Sequence, residues 1–368
     1  MKLDTNYLRK LVYVEKSLKD IEIEIVASDT DVDENDDEAS CGIGIKDELP
    51  LTEGALKQLC SYLKIPYPFT KQLRAQGRTN VLSYVERQLA QAAQANVVLV
   101  CGSSSIISIT DEEKLHYKGT ELITLDKQIQ DAVKDSQLEI SAIVCDKGLI
   151  NYFIFYKQKS EEVIEPESKW RWGFILTFSA LGEVKPNIST VVQRTADASM
   201  AILPAKLYSY PLEYESELED RWNAIDAFIK NPPAPAWMTL GSSVAKIKKA
   251  IASFREVKEA RSKLGKLKID KEDNETLERL NTALQTKRIT KEYAVKDLPY
   301  VPSKLWYCRA TTPLSLFDVF NLVTVEATSA PNTLSFDVRR NLYMYAGSLL
   351  MGTPDLCVEQ NPPVVRWD

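Results

Sequence analysis

One histidine, His116, is all the imidazole in this chain of 368 residues. Zinc or iron sites built on two or three imidazoles are therefore excluded, and any Ser-His-Asp or Cys-His mechanism would have to pass through it. It lies in a polar, turn-like stretch, Asp111 to Gly119, and is expected as an exposed loop residue. The six cysteines are scattered, with no CxxC and no metal-ligand spacing. They read as small core residues or incidental thiols, not as a disulfide framework. Long apolar runs are missing too: Val97–Cys101 and Phe174–Leu176 are far too short to span a bilayer, so no membrane partner is expected. The opening residues carry charges throughout, so no signal peptide is expected and a cytoplasmic location follows. There is no GxGxxG, no Walker loop and no βαβ rhythm. Hence no nucleotide cradle and no cofactor is expected.

What is present is ordinary in amount and uneven in placement. Apolar residues make up 44% of the chain and charged residues 27%, as in a soluble globular protein. Residues 29–38 hold seven carboxylates and no base. Asp29, Asp31 and Asp33 resemble the start of a calcium loop, but Glu34 stands where that loop needs glycine and Ser40 where it needs a carboxylate. A solvated acidic loop is the expectation, with no metal. Residues 241–268 carry nine bases against two acids, a local +7 inside a chain of net −6. Charge is segregated, not merely balanced.

Taken in order, Leu8, Leu11, Val12 and Leu18 suggest a short helix, and Ile21, Ile23 and Ile25 an edge-like strand. Thr52 can cap a helix with Ala55, Leu56, Leu59 and Leu63 inward, ended by Pro66. A short helix follows the Tyr67-Pro68-Phe69 turn, and another runs from Val81 to Ala95. The period then changes to two, predicting strands at 97–101, 106–110, 121–125, 138–145, 149–157, 170–179 and 188–194. Short connections at 102–105 and 146–148 favour antiparallel pairing. Residues 211–240 read as a connector with a Pro-rich breaker at 231–236. Residues 241–268 read as one basic amphipathic helix with Val244, Ile247, Ile251 and Phe254 as its seam, followed by a helix bearing Leu277, Leu280 and Leu284. Two last helices carry Leu316, Phe317, Phe320, Val323 and Thr324, then Val338, Leu342, Tyr345, Leu349 and Leu350, on their inner faces.

Two features point towards nucleic acid. The basic helix offers Lys246, Lys248, Lys249, Arg255, Lys258 and Lys263 to phosphates. The strand at 170–179 alternates Trp170, Trp172, Phe174, Leu176 and Phe178 on one face. Such rings can stack single-stranded bases, though a clean one-face alternation more simply buries that face. The basic helix has two blander readings: a solvated face, or an acid-base contact with this protein's own acidic segments. Paired carboxylates such as Asp318 with Glu326, or Asp337, have no spacing that singles them out for acid-base chemistry.

Leu51, Thr52, Ala55, Leu59 and Pro66, together with Asn321 and Thr324 before a late Gly347, resemble a family of phage/plasmid-like proteins of unknown function. That family has an LT-x-A-x-x-x-L segment running to a proline near its start and an Asn-x-x-Thr helix near its end. Of its two central steps, Ser179-Ala180-Leu181-Gly182-Glu183 stands in place of the first, and the second, at Arg194–Met200, is effectively lost. The resemblance implies a phage or mobile-element origin and an α+β fold, and it marks no catalytic residue. Asn321 and Thr324, one turn apart, are expected to form a buried hydrogen-bond pair.

The expectation is thus an α+β protein with a central, mostly antiparallel sheet, N-terminal helices and a C-terminal helical part. Its divisions would be 1–210, a connector at 211–240, a basic helical hairpin at 241–300 and a C-terminal segment at 301–368. The expected function is non-enzymatic binding of nucleic acid, single strands favoured, as a homo-oligomer. The competing expectation is a self-assembling or host-interaction protein that binds a host or phage protein and no nucleic acid.

Overall fold

The computed structural model describes residues 3, 5–26, 40–92, 95–146, 148–157, 162–165, 168–204, 209–211, 218–250, 252, 254–265, 275–284, 286–287, 309–310, 314–329 and 336–352. The acidic stretch 29–38, Cys308, Cys357, Lys266 and Lys268 lie outside these. Helix α1 (Thr5–Lys10) precedes strands β1 (Val12–Ser17), β2 (Ile23–Ile25), β3 (Ser40–Ile45) and β4 (Pro50–Thr52). Helices α2 (Glu53–Tyr62), α3 (Tyr67–Gln76) and α4 (Arg78–Gln91) follow, then the hairpin β5 (Asn96–Cys101) and β6 (Ile106–Thr110). Next come α5 (Gly119–Lys134) and strands β7 (Leu138–Asp146), β8 (Leu149–Tyr156), β9 (Glu162–Glu165), β10 (Ser168–Ser179), β11 (Asn187–Arg194), β12 (Met200–Ile202) and β13 (Ser209–Pro211). The remainder is helices α6 (Leu218–Lys230), α7 (Trp237–Lys249), α8 (Phe254–Leu264) and α9 (Glu275–Leu284), the short strands β14 (Thr286–Lys287) and β15 (Arg309–Ala310), and helices α10 (Leu316–Ser329) and α11 (Phe336–Met351).

The fold is α+β, built on two main sheets where the sequence suggested one. The first is six-stranded, in the order β1-β5-β6-β4-β3-β2, and it is mixed because β4 meets β6 in parallel at Leu51 and Ile106. The second runs β12-β11-β10-β8-β7 and is antiparallel, with β13 added to β11 and β9 to β10. Each sheet has its own apolar core. Leu56, Leu59, Val81, Val85 and Leu89 of α2 and α4 close one face of the first sheet against Ile43, Leu51 and Leu99. The larger core packs the second sheet against α5, α6, α7, α10 and α11.

The β5–β6 hairpin is a wall between the two. Val97, Leu99, Ile106 and Ile109 face the smaller core, while Val100 and Ile107 belong to the larger. A strand buried on both faces needs an unbroken apolar run, as Val97–Cys101 is. A polar joint fastens the wall: the Ile109 N–H donates to Gln58 Oε1 at 2.7 Å, and Ser108 Oγ donates to Leu181 O at 3.0 Å.

Several local expectations change. Residues 121–125 are helical, inside α5, because Leu122, Leu125, Ile129 and Val133 bury one helical face. Val12 lies in β1 and not in a helix with Leu8, since β1 pairs antiparallel with β5 from Val12–Cys101 to Ser17–Asn96. The expected connector contributes core: Ile225 and Ile229 of α6 are buried, and the carbonyls of Pro232 and Pro233 accept from Tyr156 Oη at 3.3 and 2.8 Å. The helix expected over 241–268 is two helices, α7 and α8. Its break is a backbone exchange in which the Leu316 N–H donates to Ala250 O at 2.9 Å and the Ala252 N–H to Leu314 O at 2.8 Å.

Candidate nucleic-acid interface

Helices α7 and α8 meet at a corner whose inner side is apolar. Leu240, Val244 and Ile247 of α7 and Val257, Ala260 and Leu264 of α8 are buried. Ile251 and the Phe254 side chain lie outside what is described. The outer side is basic: Lys246, Lys248, Lys249, Arg255, Lys258 and Arg261 are exposed, and Lys263 is half-buried. Lys246, Lys248 and Lys249 fall in the last turn of α7. The partial negative charge of the helix C-terminus favours cations there, which accounts for part of the clustering without any ligand.

Of the six expected phosphate contacts, Lys248 and Lys263 lie over aromatic rings. The Lys248 ammonium sits 4.8 Å from the centre of the Phe317 ring, and the Arg194 guanidinium 5.9 Å from the same ring. Lys263 lies 3.6 Å from Glu259 and 5.3 Å from the centre of the Tyr345 ring. That ring is itself held by its hydroxyl, which donates to Glu256 O at 2.6 Å. Lys246, Lys249, Arg255 and Lys258 are exposed at the same corner.

The tryptophans do not belong to this face. Trp170 is 0% exposed and Trp172 is 3% exposed, so neither ring offers a surface on which a base could stack. Strand β10 is central, paired with β8 on one side and β11 on the other. Trp170 packs on Phe320 at 6.2 Å, and Trp172 meets the edge of Trp237 at 5.7 Å. Even Ile175 and Thr177 on the opposite face are buried, so β10 is core on both sides.

Asp318 and Thr324 resolve into structural roles, and the Asp337 side chain lies outside what is described. Asp318 closes a capping box at the start of α10: the Ser315 N–H donates to Asp318 Oδ2 at 2.9 Å, and the Asp318 N–H to Ser315 Oγ at 3.0 Å. Thr324 Oγ1 donates to the backbone carbonyls of Phe320 and Asn321 at 3.0 and 3.2 Å. Asn321 Oδ1 is buried without a protein partner, so the expected side-chain pair does not form. His116 is half-buried, not exposed, and its carbonyl accepts from Arg221. Burial first, then the charges of Arg221 and Lys185, lower its pKa and hold it neutral at pH 7. Among the described residues, no group of His, Cys, Asp and Glu could hold a metal ion, and no helix is long and apolar enough to cross a membrane. Cys41, Cys60, Cys101 and Cys145 are not in disulfides.

One polar cluster escaped the sequence reading. Glu53 in the first turn of α2 accepts from Arg74 at 2.5 and 2.9 Å and from the Tyr67 hydroxyl, both on α3. Burial alone would raise the Glu53 pKa. The Arg74 and Tyr67 hydrogen bonds, with the charges of Arg74 and Lys71, outweigh it and lower the value. The available signal was the seven-residue spacing of Tyr67 and Arg74, two turns on one helix face. No protein-family model, curated protein or solved structure matches the chain.

Proposed function

We propose that this chain is a non-enzymatic phage- or mobile-element protein, acting in the host cytoplasm, that binds nucleic acid by its phosphates. The observation that carries the reading is the corner of α7 and α8. Lys246, Lys249, Arg255 and Lys258 are exposed on its outer side while the inner side is anchored in the larger core. An array of cations presented outward suits a polyanion. The origin is supported by the resemblance of the two chain ends to phage/plasmid-like proteins. Because Trp170 and Trp172 are buried, this surface reads the backbone of single and double strands alike.

The test is fluorescence anisotropy of labelled single-stranded and duplex DNA between 50 and 200 mM salt. With about four phosphate contacts, counterion release weakens binding by roughly 50- to 150-fold over that range. Lys249→Glu with Lys258→Glu should lower affinity at least about tenfold and leave the melting temperature unchanged. This pair is preferred to Lys248, whose reversal would also disturb the Phe317 contact. Binding that ignores both salt and these substitutions would sink the assignment, and the basic corner would then be a protein-contact surface.

A further inference from the structure

The buried tryptophans leave open where bases could stack, and the smaller core carries the answer on its outer helices. Between Lys64 and Gln91 the chain has five bases and one acid, Glu86. Arg74 pairs with Glu53, from which Lys71 also stands 3.9 Å, and counting Glu53 with Glu86 the five bases still leave this surface net positive. Aromatic rings are interleaved with these cations. Phe69 is 39% exposed, one of the few large apolar side chains left in solvent, and its ring meets Tyr84 edge-on at 5.2 Å. The Arg87 guanidinium stands 5.3 Å from the centre of the Tyr84 ring, and the Lys71 ammonium 5.4 Å from that of Tyr67. Tyr67 is fixed by donating its hydroxyl to Glu53, which ties α3, the helix that carries Phe69, to α2.

We infer that the α3–α4 face is a second nucleic-acid site, one that takes single strands by stacking bases on Phe69 and Tyr84 while Lys71 and Arg87 meet the phosphates. The inference rests on the reading that the chain binds nucleic acid, and it adds the strand selectivity that the α7–α8 corner lacks. Three features favour this occupant. An exposed aromatic ring stacks any base by its face. The adjacent cations have the sign that a polyanion requires. Unpaired bases can reach the rings, whereas the stacked bases of a duplex cannot.

The experiment is anisotropy of labelled oligo(dT) and of a duplex of equal length, using the full chain. Phe69→Leu keeps apolar bulk and removes the π face. It should lower single-strand affinity roughly 5- to 150-fold and change duplex affinity less than about twofold. Phe69→Trp, which keeps a ring, should retain single-strand binding. Arg87→Gln, an exposed position, repeats the test should Phe69→Leu not fold. Single-strand affinity unchanged in Phe69→Leu and Arg87→Gln, or lost equally for both ligands, would overturn the site. So would capture of phosphatidylserine vesicles in place of oligo(dT). If Lys249→Glu with Lys258→Glu abolishes binding and Phe69→Leu does nothing, only this inference fails. The reverse result leaves this site standing and removes the α7–α8 corner. A native chain that binds neither oligonucleotide overturns both.

Discussion

Gly347 lies where α11 crosses β12, and a Cβ there would be driven into the carbonyl oxygen of Ile202. That obstacle is backbone and cannot rotate away. Gly347→Ala should therefore destabilise the fold by about 1–3 kcal/mol, read as a lower urea midpoint. Gly241 is the opposite case: it is inside α7, and nothing lies within 4 Å of its would-be Cβ. Gly241→Ala should raise stability by about 0.5–1 kcal/mol through helix propensity alone. Charge acts at this scale as well. Burial would raise the pKa of Glu53 and of Asp197. Hydrogen bonds from Arg74 and Tyr67, and from Arg194 and Ser199, outweigh it and leave both values depressed. As pH falls the unfolded chain takes up these protons first. The stabilisation is present above the ordinary carboxylate range and is lost as pH falls through the lower folded values. Urea midpoints measured from pH 6 to pH 3 should drop, and the drop should be shallower in Glu53→Gln and Asp197→Asn. A slope identical to the native chain's would refute the assignment of these two groups.

At the scale of elements, what was legible was local, and what was missed was set by distant chain. The α2 start could be read because its cause is three residues wide: Thr52 Oγ1 accepts from the Ala55 N–H at 3.2 Å. The α10 cap is just as short-ranged, made by Ser315 and Asp318 three residues apart. Ser315→Ala should cost about 1 kcal/mol, seen as a lower melting temperature. The period-two reading of 121–125 failed because a five-residue window holding Ile123 and Thr124 outweighed a spacing visible only over the whole of Gly119–Lys134. The break between α7 and α8 has no glycine or proline to announce it. It exists because residues 250 and 252 exchange backbone hydrogen bonds with 314 and 316, some sixty positions away, and no local pattern encodes that. The candidate site divides the same way. Its charge was legible as composition, and the exposure of Lys246, Lys249 and Lys258 follows from the buried seam. The burial of Trp170 and Trp172 was legible as the simpler reading of a one-face alternation, though not which helices cover β10. The Phe69–Tyr84 platform depended on α3 meeting α4.

For the whole molecule the question is whether two cores behave as one. The β5–β6 wall is shared by both, and the turn after β10 is bound across it. Leu181 O accepts from Ser108, Gln58 Nε2 donates to Glu183 at 3.3 Å, and the backbone of Gly182, at φ +70°, passes against Thr110 with no room for a side chain. Gln58 is the centre of this joint, because the Ile109 N–H and Ser108 Oγ both donate to its Oε1. Gln58→Ala removes the acceptor and leaves a part-buried N–H without it, at a cost of about 1–3 kcal/mol. If the cores fold as one unit, that cost should appear in both. Slow-exchanging amides of Val85 and Leu89 in the smaller core and of Ile154 and Leu176 in the larger should lose protection together, and the unfolding transition should stay single. If the joint is only a contact between independent units, exchange should accelerate around β6 and α2 alone. The distinction reaches function, since the basic corner is rooted in the larger core and the exposed rings in the smaller. A shared transition means that a strand bound at both surfaces stabilises the entire fold, so oligo(dT) should raise the melting temperature of Gln58→Ala and of the native chain by a single common transition.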